Sequence, residues 1–487
     1  MTISSVQTAI FKLIDAQLKE ALRIKSAPSL RIVVGFSGGL DSTVLLHTLS
    51  LYSKANTHVS IEACHINHQL SPNAKSWQSH CQTVCEELGV PFRSQVVTLE
   101  PKGLGIEAAA REARYTAFKD MCGVDGVLLL GQHLDDQAET VLIRLMRGSG
   151  PLGISAMQSI AFHGNLPVIR PLLDVPREKL EVVADELSLR WIEDESNASL
   201  TYDRNFLRHH ILPALDTRWP ALNQRLARSA RLCREAVNLA DEVAANDLAE
   251  VLHSEGGLRI EMLRQLSDLR LKNVIRYRLR RLNLPLPSEV VLRRVLCDVL
   301  DAGPDAKPRV CWKGAEARRY RGSLYFINAL PAGELEKAEP VLLTSLSKTT
   351  LEGGVDALTL PWGGVLFIAS SRQSLVSLWS DMEGRGAGTL AIELLPAPLQ
   401  KLSVALGKGK SSVRPIGRSS NPLKYWWQQY HIPFWFRDKQ PLLYSDGELI
   451  AAPGMFTCVN TIELKEGGSA QETEQLSRWV SWWPYSL

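Results

Sequence analysis

The chain has no C-x-x-C pair. Its eight cysteines (Cys64, Cys81, Cys85, Cys122, Cys233, Cys297, Cys311 and Cys458) are scattered over 487 residues, a distribution that indicates neither a disulfide framework nor a zinc ribbon. Cys81 and Cys85, four apart, are expected on one buried helix face. Long apolar runs are also missing: no stretch approaches the roughly 20 residues a membrane helix needs, and in the opening MTISSVQTAIFKLIDAQLKE, Lys12 and Asp15 break any apolar core. A soluble, cytoplasmic protein with no membrane partner is expected. A large excess of one charge is absent, since 55 Lys and Arg face 52 Asp and Glu for a net +3. There is no Walker loop, because the near match Gly409-Lys410-Ser411 has Val404 where the first glycine belongs. A dinucleotide fingerprint is absent as well.

What is present is an ordinary globular composition, 45% hydrophobic, and a length that suggests about three domains. The small net charge is unevenly spread. Residues 221–330 hold 20 Lys and Arg against 13 Asp and Glu, and residues 401–460 hold 8 against 3. Two basic segments on a nearly neutral chain suggest a polyanionic partner held outside a catalytic domain, although a solvated charged face reads the same way.

Along residues 1–215 apolar strand-like runs alternate with helical spacing. Strands are expected at Leu30 to Phe36, His58 to Ile66, Pro91 to Val97 and Gly126 to Leu130. Helices are expected after Thr43, around Trp77 to Leu88, from Ile106 to Met121 and from about Asp135. This alternation implies an α/β fold, a doubly wound parallel sheet whose ligands sit beyond the carboxyl ends of the strands. Ala221 to Leu252 reads as one long amphipathic helix opening a helical basic domain (216–330) that carries Arg276-Tyr277-Arg278-Leu279-Arg280-Arg281. Residues 331–400 give weak signals and are taken as a connector with short strands. A small mixed α/β domain (401–487) follows, with Trp426, Trp427, Tyr430, Phe434, Trp435 and Phe436 interleaved with Lys424, Arg437 and Lys439. Base stacking and ordinary core both account for these aromatics.

The chemistry is concentrated in Ser37-Gly38-Gly39-Leu40-Asp41-Ser42, between the first strand and the first helix of the sheet. The first amides of a helix lack intrahelical partners and carry the positive end of its dipole, so an anion is held there by backbone N–H groups. Gly38 and Gly39 admit phosphate oxygens close to the backbone, and Ser37 and Ser42 add hydroxyl donors. Asp41 would repel a phosphate, and makes sense there as a ligand of Mg²⁺ bridging phosphate oxygens. The pattern SGGxDS after a first strand resembles the PP-loop of the N-type ATP pyrophosphatases, which split ATP into AMP and pyrophosphate while activating a substrate oxygen. That resemblance defines the segment 1–215 as the catalytic domain.

Further motifs occur in order: His65-Ile66-Asn67-His68, Arg111-Glu112-Ala113-Arg114-Tyr115, His133-Leu134-Asp135-Asp136-Gln137-Ala138-Glu139-Thr140, Arg147-Gly148-Ser149-Gly150-Pro151 and Tyr202-Asp203-Arg204-Asn205-Phe206-Leu207-Arg208. With Arg437-Asp438, Pro441-Leu442-Leu443-Tyr444 and Pro453-Gly454, they resemble the tRNA(Ile)-lysidine synthetase family. The resemblance implies a reaction on the wobble cytidine of the CAU anticodon of tRNA(Ile). The ring carbonyl oxygen attacks the α-phosphorus of ATP, and the L-lysine side-chain amine then displaces AMP.

Asp136 and Glu139, three apart and so on one helix face, are assigned to the lysine amine. Asp135, at the helix start, is left open to metal or lysine. Arg111 and Arg114 are expected to reach the α-phosphate or the cytidine, and Arg208 a phosphate or RNA. The family commonly has a basic residue where this chain has Phe206. Arg280, Arg281, Lys424 and Arg437 are the candidate RNA contacts. His65, Asn67, His68 and His133 read as loop-shaping hydrogen-bonders rather than zinc ligands. A PP-loop tRNA thiolase is the nearest alternative. It would want paired reactive cysteines near the loop, and Cys81 and Cys85 have the wrong spacing. A non-catalytic RNA-binding protein with a dead nucleotide fold fits poorly with the intact loop and the acidic cluster.

Overall fold

The computed structural model describes residues 5–25, 29–69, 71–97, 106–123, 125–195, 199–253, 256–303, 306–329 and 340–351, and shorter stretches between 354 and 483. The sequence positions Gly409 to Ser411, Asp438 and Gly454, and much of 331–400, lie outside the described residues. The chain divides into two compact units, residues 1–239 and 240–487.

The first unit is built on β1 (Leu30–Gly35), whose apolar run is buried along most of its length. It pairs in parallel with β2 (Val59–Asn67) on one side and with β4 (Gly126–Leu130) on the other. Beyond β2 lies β3 (Phe92–Val96), and beyond β4 lies β6 (Leu166–Ile169), which carries the antiparallel edge strand β5 (Ile160–His163). The sheet order is therefore β3-β2-β1-β4-β6-β5. The chain runs outward from β1 to β3, then returns to start again on the other side of β1. A crevice opens where the order reverses, beyond the carboxyl ends of β1 and β4, and that is where ligands bind in such sheets.

Helices cover both faces because residues alternate across each strand. Ile32 and Val34 pack with α1 (Ser5–Lys25), α2 (Leu40–Ala55), α3 (Ala74–Leu88) and α7 (Arg177–Glu186), through side chains such as Ile14, Leu45, Cys81 and Leu180. Val33 and Leu128 face the other way, against Tyr115, Phe118 and Met121 of α4 (Ile106–Cys122). Cys81 and Cys85 are buried in the first of these cores. After β4 comes α5 (Leu134–Met146), then the single turn α6 (Pro151–Ile154). A later helical stretch runs through α8 (Asp203–Phe206), a π-helical turn (Leu207–Ile211) and α9 (Leu212–Arg218). Leu207 and Leu212 pack onto Ala138 and Leu142, which docks this stretch against α5. The long helix α10 (Leu222–Val251) follows, within one residue at each end of the sequence expectation.

The second unit holds α11 (Ile260–Leu263), α12 (Asp268–Arg281) and α13 (Glu289–Arg294). The middle region is helical as expected, but it also contains an antiparallel sheet of order β7-β10-β9-β8, from β7 (Leu258–Arg259), β8 (Arg309–Trp312), β9 (Ala315–Tyr320) and β10 (Ser323–Asn328). Leu279, Leu292, Leu324 and Phe326 share its core. Further along, strands between residues 341 and 369 pair with later strands: Val341–Leu342 with Leu402–Leu406, and Val365–Ala369 with Arg478–Trp483. Trp426, Trp427, Trp435 and Phe436 are all buried, so these aromatics are core. Stacking on bases is not open to them.

Leu45 of α2 is fully buried in the core shared with Ile32 and Val34 of β1. Leu45→Ala is expected to destabilise the first unit by about 2–5 kcal/mol, read as a lower urea midpoint of its transition. An unmoved midpoint would contradict this packing.

Candidate active site

The loop Ser37 to Gly39 leaves β1 and Gly39 caps α2 with no side-chain hydrogen bond to its amides. Instead the loop is folded by its own hydroxyls: Thr43 Oγ1 donates to the Gly39 carbonyl at 2.9 Å, Ser42 Oγ to the same carbonyl at 3.0 Å, and Ser37 Oγ lies 3.1 Å from Ser42 Oγ. With no side chain capping them, the first-turn amides of α2 are available to an anion. Gly38 has φ +84°, and a Cβ there would lie 2.6 Å from Ile192 Cδ1 and 2.9 Å from Cys81 Sγ. The Gly38 carbonyl accepts the Ile192 amide at 2.8 Å, which straps the loop from behind.

The neighbouring strand β4 delivers the acidic cluster to the same place. A Cβ on Gly131 would sit 3.1 Å from the Asp41 carbonyl and the Ser42 amide nitrogen, a tight contact with backbone that glycine avoids where the chain after β4 passes the first turn of α2. Two residues later His133 caps α5 in a capping box: its Nδ1 accepts the Asp135 amide at 3.2 Å, and its own amide donates to Asp136 Oδ2 at 3.2 Å. The neutral ring then carries its proton on Nε2, which lies 3.6 Å from Asp41 Oδ2 and 3.5 Å from Asp136 Oδ2. Burial disfavours the His133 imidazolium, but the Asp135 carboxylate, whose Oδ2 lies 3.4 Å from Nδ1, and the charges of Asp136 and Asp41 outweigh it, and the pKa stands above its ordinary value.

The four carboxylates differ in what they have left to give. Burial pushes Asp41 up, against the pull of His133 and Arg177, and its Oδ1 is buried without a hydrogen-bond partner. Asp135 is held below its usual range: burial raises it, and its contacts with His133 and the Arg177 amide more than offset that. Both its oxygens are engaged, Oδ2 by the Arg177 amide at 3.0 Å and Oδ1 by Asn223 Nδ2 at 2.8 Å. Asp136 Oδ1 accepts from Arg208 Nη2 at 3.1 Å, and Glu139 Oε1 from Arg208 Nε at 2.6 Å. Glu139 is fully buried, and burial raises its carboxyl despite Arg208. Its Oε2 lies 3.3 Å from Arg204 Nε, yet neither atom makes an aligned hydrogen bond.

For Mg²⁺ the relevant observation is the orphaned, buried Asp41 Oδ1 beside the phosphate loop. It is a hard oxygen donor of the kind Mg²⁺ prefers, and the ion needs only one or two carboxylates when phosphates and water complete its shell. Among the described residues no group of three His, Cys, Asp or Glu is arranged to hold a metal ion by itself. Each oxygen of Asp135, the other metal candidate, already accepts one hydrogen bond, from the Arg177 amide and from Asn223.

The remaining candidates are spread over the molecule. Arg111 lies on α4, exposed, with its guanidinium 5.0 Å from the Tyr115 ring centre, and Arg114 is half-buried on the same helix. His65 Nδ1 sits 3.0 Å from the Phe36 carbonyl and Asn67 bonds Gln78, so both shape loops at the strand ends. Phe206 is exposed, its ring 5.6 Å from that of His210. In the second unit Arg280 pairs with Asp241 and stands over Tyr277, and Arg437 donates to the Ile432 carbonyl at 2.9 Å. Arg281 and Lys424 are exposed.

Several residues at the site carry no signal in the sequence. Arg177 places Nη1 3.7 Å from Asp41 Oδ2. Arg170, at the end of β6, is buried among the neutral partners Gln132, the Gln158 carbonyl and the Tyr115 hydroxyl. Neither belongs to a recognisable pattern. The glycine at 131, two residues before the acidic motif, is the one that spacing could have flagged.

Three family descriptions match the chain: "PP-loop domain" over residues 12–215, "TilS substrate binding domain" over 258–325 and "TilS substrate C-terminal domain" over 402–479. Proteins named tRNA(Ile)-lysidine synthase from Salmonella newport (strain SL254) and Salmonella typhimurium are each 43% identical over 446 residues, covering 91% of this chain and 96% of theirs. Among solved structures, a U34-tRNA thiolase from Methanococcus maripaludis is similar over 46% of this chain and 79% of its own, at 18% identity and a TM-score of 0.36. An NAD+ synthetase from Burkholderia pseudomallei covers 46% and 91%, at 14% identity and 0.27. Those two likenesses are too slight to bear on the reaction.

Gly38→Ala puts a methyl group against Ile192 and Cys81 at a left-handed φ. Backbone strain of this kind costs on the order of 1–3 kcal/mol, so ATP affinity is expected to fall roughly tenfold or more while circular dichroism is retained. Unaltered ATP binding by equilibrium dialysis would separate the loop from the nucleotide.

Proposed function

The chain belongs to the tRNA(Ile)-lysidine synthase family, and from that premise we propose how its residues divide the work of an ATP-using ligase that forms lysidine on tRNA(Ile). The observation that carries the reading is adjacency. The phosphate loop after β1 and the Asp136/Glu139 pair after β4 open into one crevice, with His133 between Asp41 and Asp136.

In the first step the O2 oxygen of the wobble cytidine attacks the α-phosphorus of ATP, and the bond to pyrophosphate breaks. The first-turn amides of α2 and the Ser37 and Ser42 hydroxyls hold the phosphate oxygens, a task of electrostatic preorganisation. Asp41 would hold Mg²⁺, which when bound neutralises charge on the departing pyrophosphate. Arg111 and Arg114 on α4 are the cations proposed to meet the α-phosphate or the cytidine.

In the second step the L-lysine amine attacks C2 of the cytidine, the C2–O bond breaks, and AMP leaves with the oxygen. A free lysine ammonium has a pKa of about 10.4 and must lose a proton first. Asp136 and Glu139 bind it, and Glu139, lifted by burial, is suited to accept that proton. The exposed Arg281 and Lys424 are proposed to contact tRNA phosphates in the second unit. A thiolase would need a reactive thiol, whereas burial pushes the Cys81 and Cys85 thiols up to about 12.

Labelled lysine is expected to enter a CAU-anticodon isoleucine tRNA transcript at the wobble position only when ATP is present. Asp41→Asn is expected to lower pyrophosphate release by roughly 10²-fold or more with tRNA binding kept. Label at another nucleotide, or release unchanged in the variant, would refute these assignments.

A further inference from the structure

The amine site described above is already filled by a side chain of the same protein. Arg208 hydrogen-bonds both carboxylates assigned to lysine, Glu139 at 2.6 Å and Asp136 at 3.1 Å. We propose that Arg208 is an internal stand-in for the lysine ammonium and a positioning residue that orders the two half-reactions, lysine binding only after a nucleotide phosphate draws the guanidinium away. This rests on reading Asp136 and Glu139 as the amine site.

Charge and burial make the stand-in necessary. Glu139 is fully buried and Asp136 nearly so, with side-chain exposures of 0% and 15%, and a buried carboxylate pair without a cation is strongly unfavourable. A lysine ammonium replaces one unit positive charge by another, so the carboxylates stay compensated in both states. The exchange is favourable only when the displaced guanidinium finds a second anion. One would be near: Arg208 bonds Asp136 Oδ1, Asp136 Oδ2 lies 3.5 Å from His133 Nε2, and the same nitrogen is 3.6 Å from Asp41 in the turn proposed to hold the phosphates. A guanidinium pairs with phosphate oxygens through two parallel hydrogen bonds, which an ammonium cannot match.

The backbone under Arg208 is irregular. It sits in the π-helical turn Leu207–Ile211, between the short helices α8 and α9. Such turns are rare and hold one residue more than an α-turn. Shifting that extra residue along the helix would rotate a side chain by roughly 100° about the axis. Arg204, one turn earlier, stays within 3.3 Å of Glu139 Oε2 without an aligned bond. It keeps partial compensation at the buried carboxylate during the exchange.

The test is binding of labelled lysine to the intact protein by equilibrium dialysis, with and without a nonhydrolysable ATP analogue. In the wild type the analogue is expected to tighten lysine at least tenfold, and by linkage lysine tightens the analogue by the same factor. Arg208→Gln is expected to bind lysine without the analogue and to show less than a threefold effect of adding it. Arg208→Lys, which keeps the charge but cannot bridge both carboxylates, is expected to fall between the two, and serves if Arg208→Gln does not fold. Wild-type lysine affinity indifferent to the analogue, or a full tenfold effect surviving in either variant, overturns the gate. Glu139→Gln is the separate control. If it leaves lysine binding intact, the amine-site reading itself has failed.

Discussion

Everything chemical in this protein depends on the reversal of strand order between β1 and β4. Two parallel strands lie side by side, yet the chain leaves them toward opposite edges of the sheet, so the loops at their carboxyl ends diverge and open a crevice. Glycine sets how close the two loops come. Gly38 takes a left-handed turn against Ile192, and Gly131 passes within van der Waals limits of the Asp41 backbone. A side chain at 131 would press on the first turn of α2, and one at 38 would press the loop against Ile192 and Cys81.

The second constraint is compensation of charge. Asp41, Asp135, Asp136 and Glu139 converge from two helices into a largely buried space, and His133, Arg177, Arg204 and Arg208 balance them. The carboxylates are not equivalent. Asp135 spends both oxygens on the Arg177 amide and Asn223, and so fixes α5 against its neighbours. Asp41 and Glu139 each keep a buried oxygen without an aligned donor. Unmet capacity of this sort is costly in a finished core, and it is what a site prepared for a cation would retain. Under the proposed assignments, a substrate ammonium and Arg208 would compete for the oxygens of Asp136 and Glu139, which would couple the order in which lysine and nucleotide arrive.

Much of the first unit was legible in the sequence because its signals are strong and local. The strand at residues 126–130 and the helices from 106 and 222 fall within about one residue of the structure. Glycine, hydroxyl and acid at fixed offsets after the first strand point to a phosphate loop on chemical grounds alone. The sheet β7–β10 was not legible. Ala315–Tyr320 reads AEARRY, and its arginines look like a basic helical surface until Arg309 and Arg318 are seen to pair with the buried Glu316. The strands between 341 and 369 are short and find their partners far along the chain, so no local pattern announces them. At the site, spacing grouped Asp136 with Glu139 correctly on one face of α5. It could not show that Arg208, 69 residues further on, would reach back to Glu139.

The most direct measurement is a crystal structure of the chain soaked with a nonhydrolysable ATP analogue and L-lysine. The expected result has phosphate oxygens on the first-turn amides of α2, the lysine amine between Asp136 and Glu139, and the Arg208 guanidinium turned toward phosphate. An analogue seated away from residues 37–42, or lysine bound elsewhere while Arg208 still bridges both carboxylates, would contradict the account.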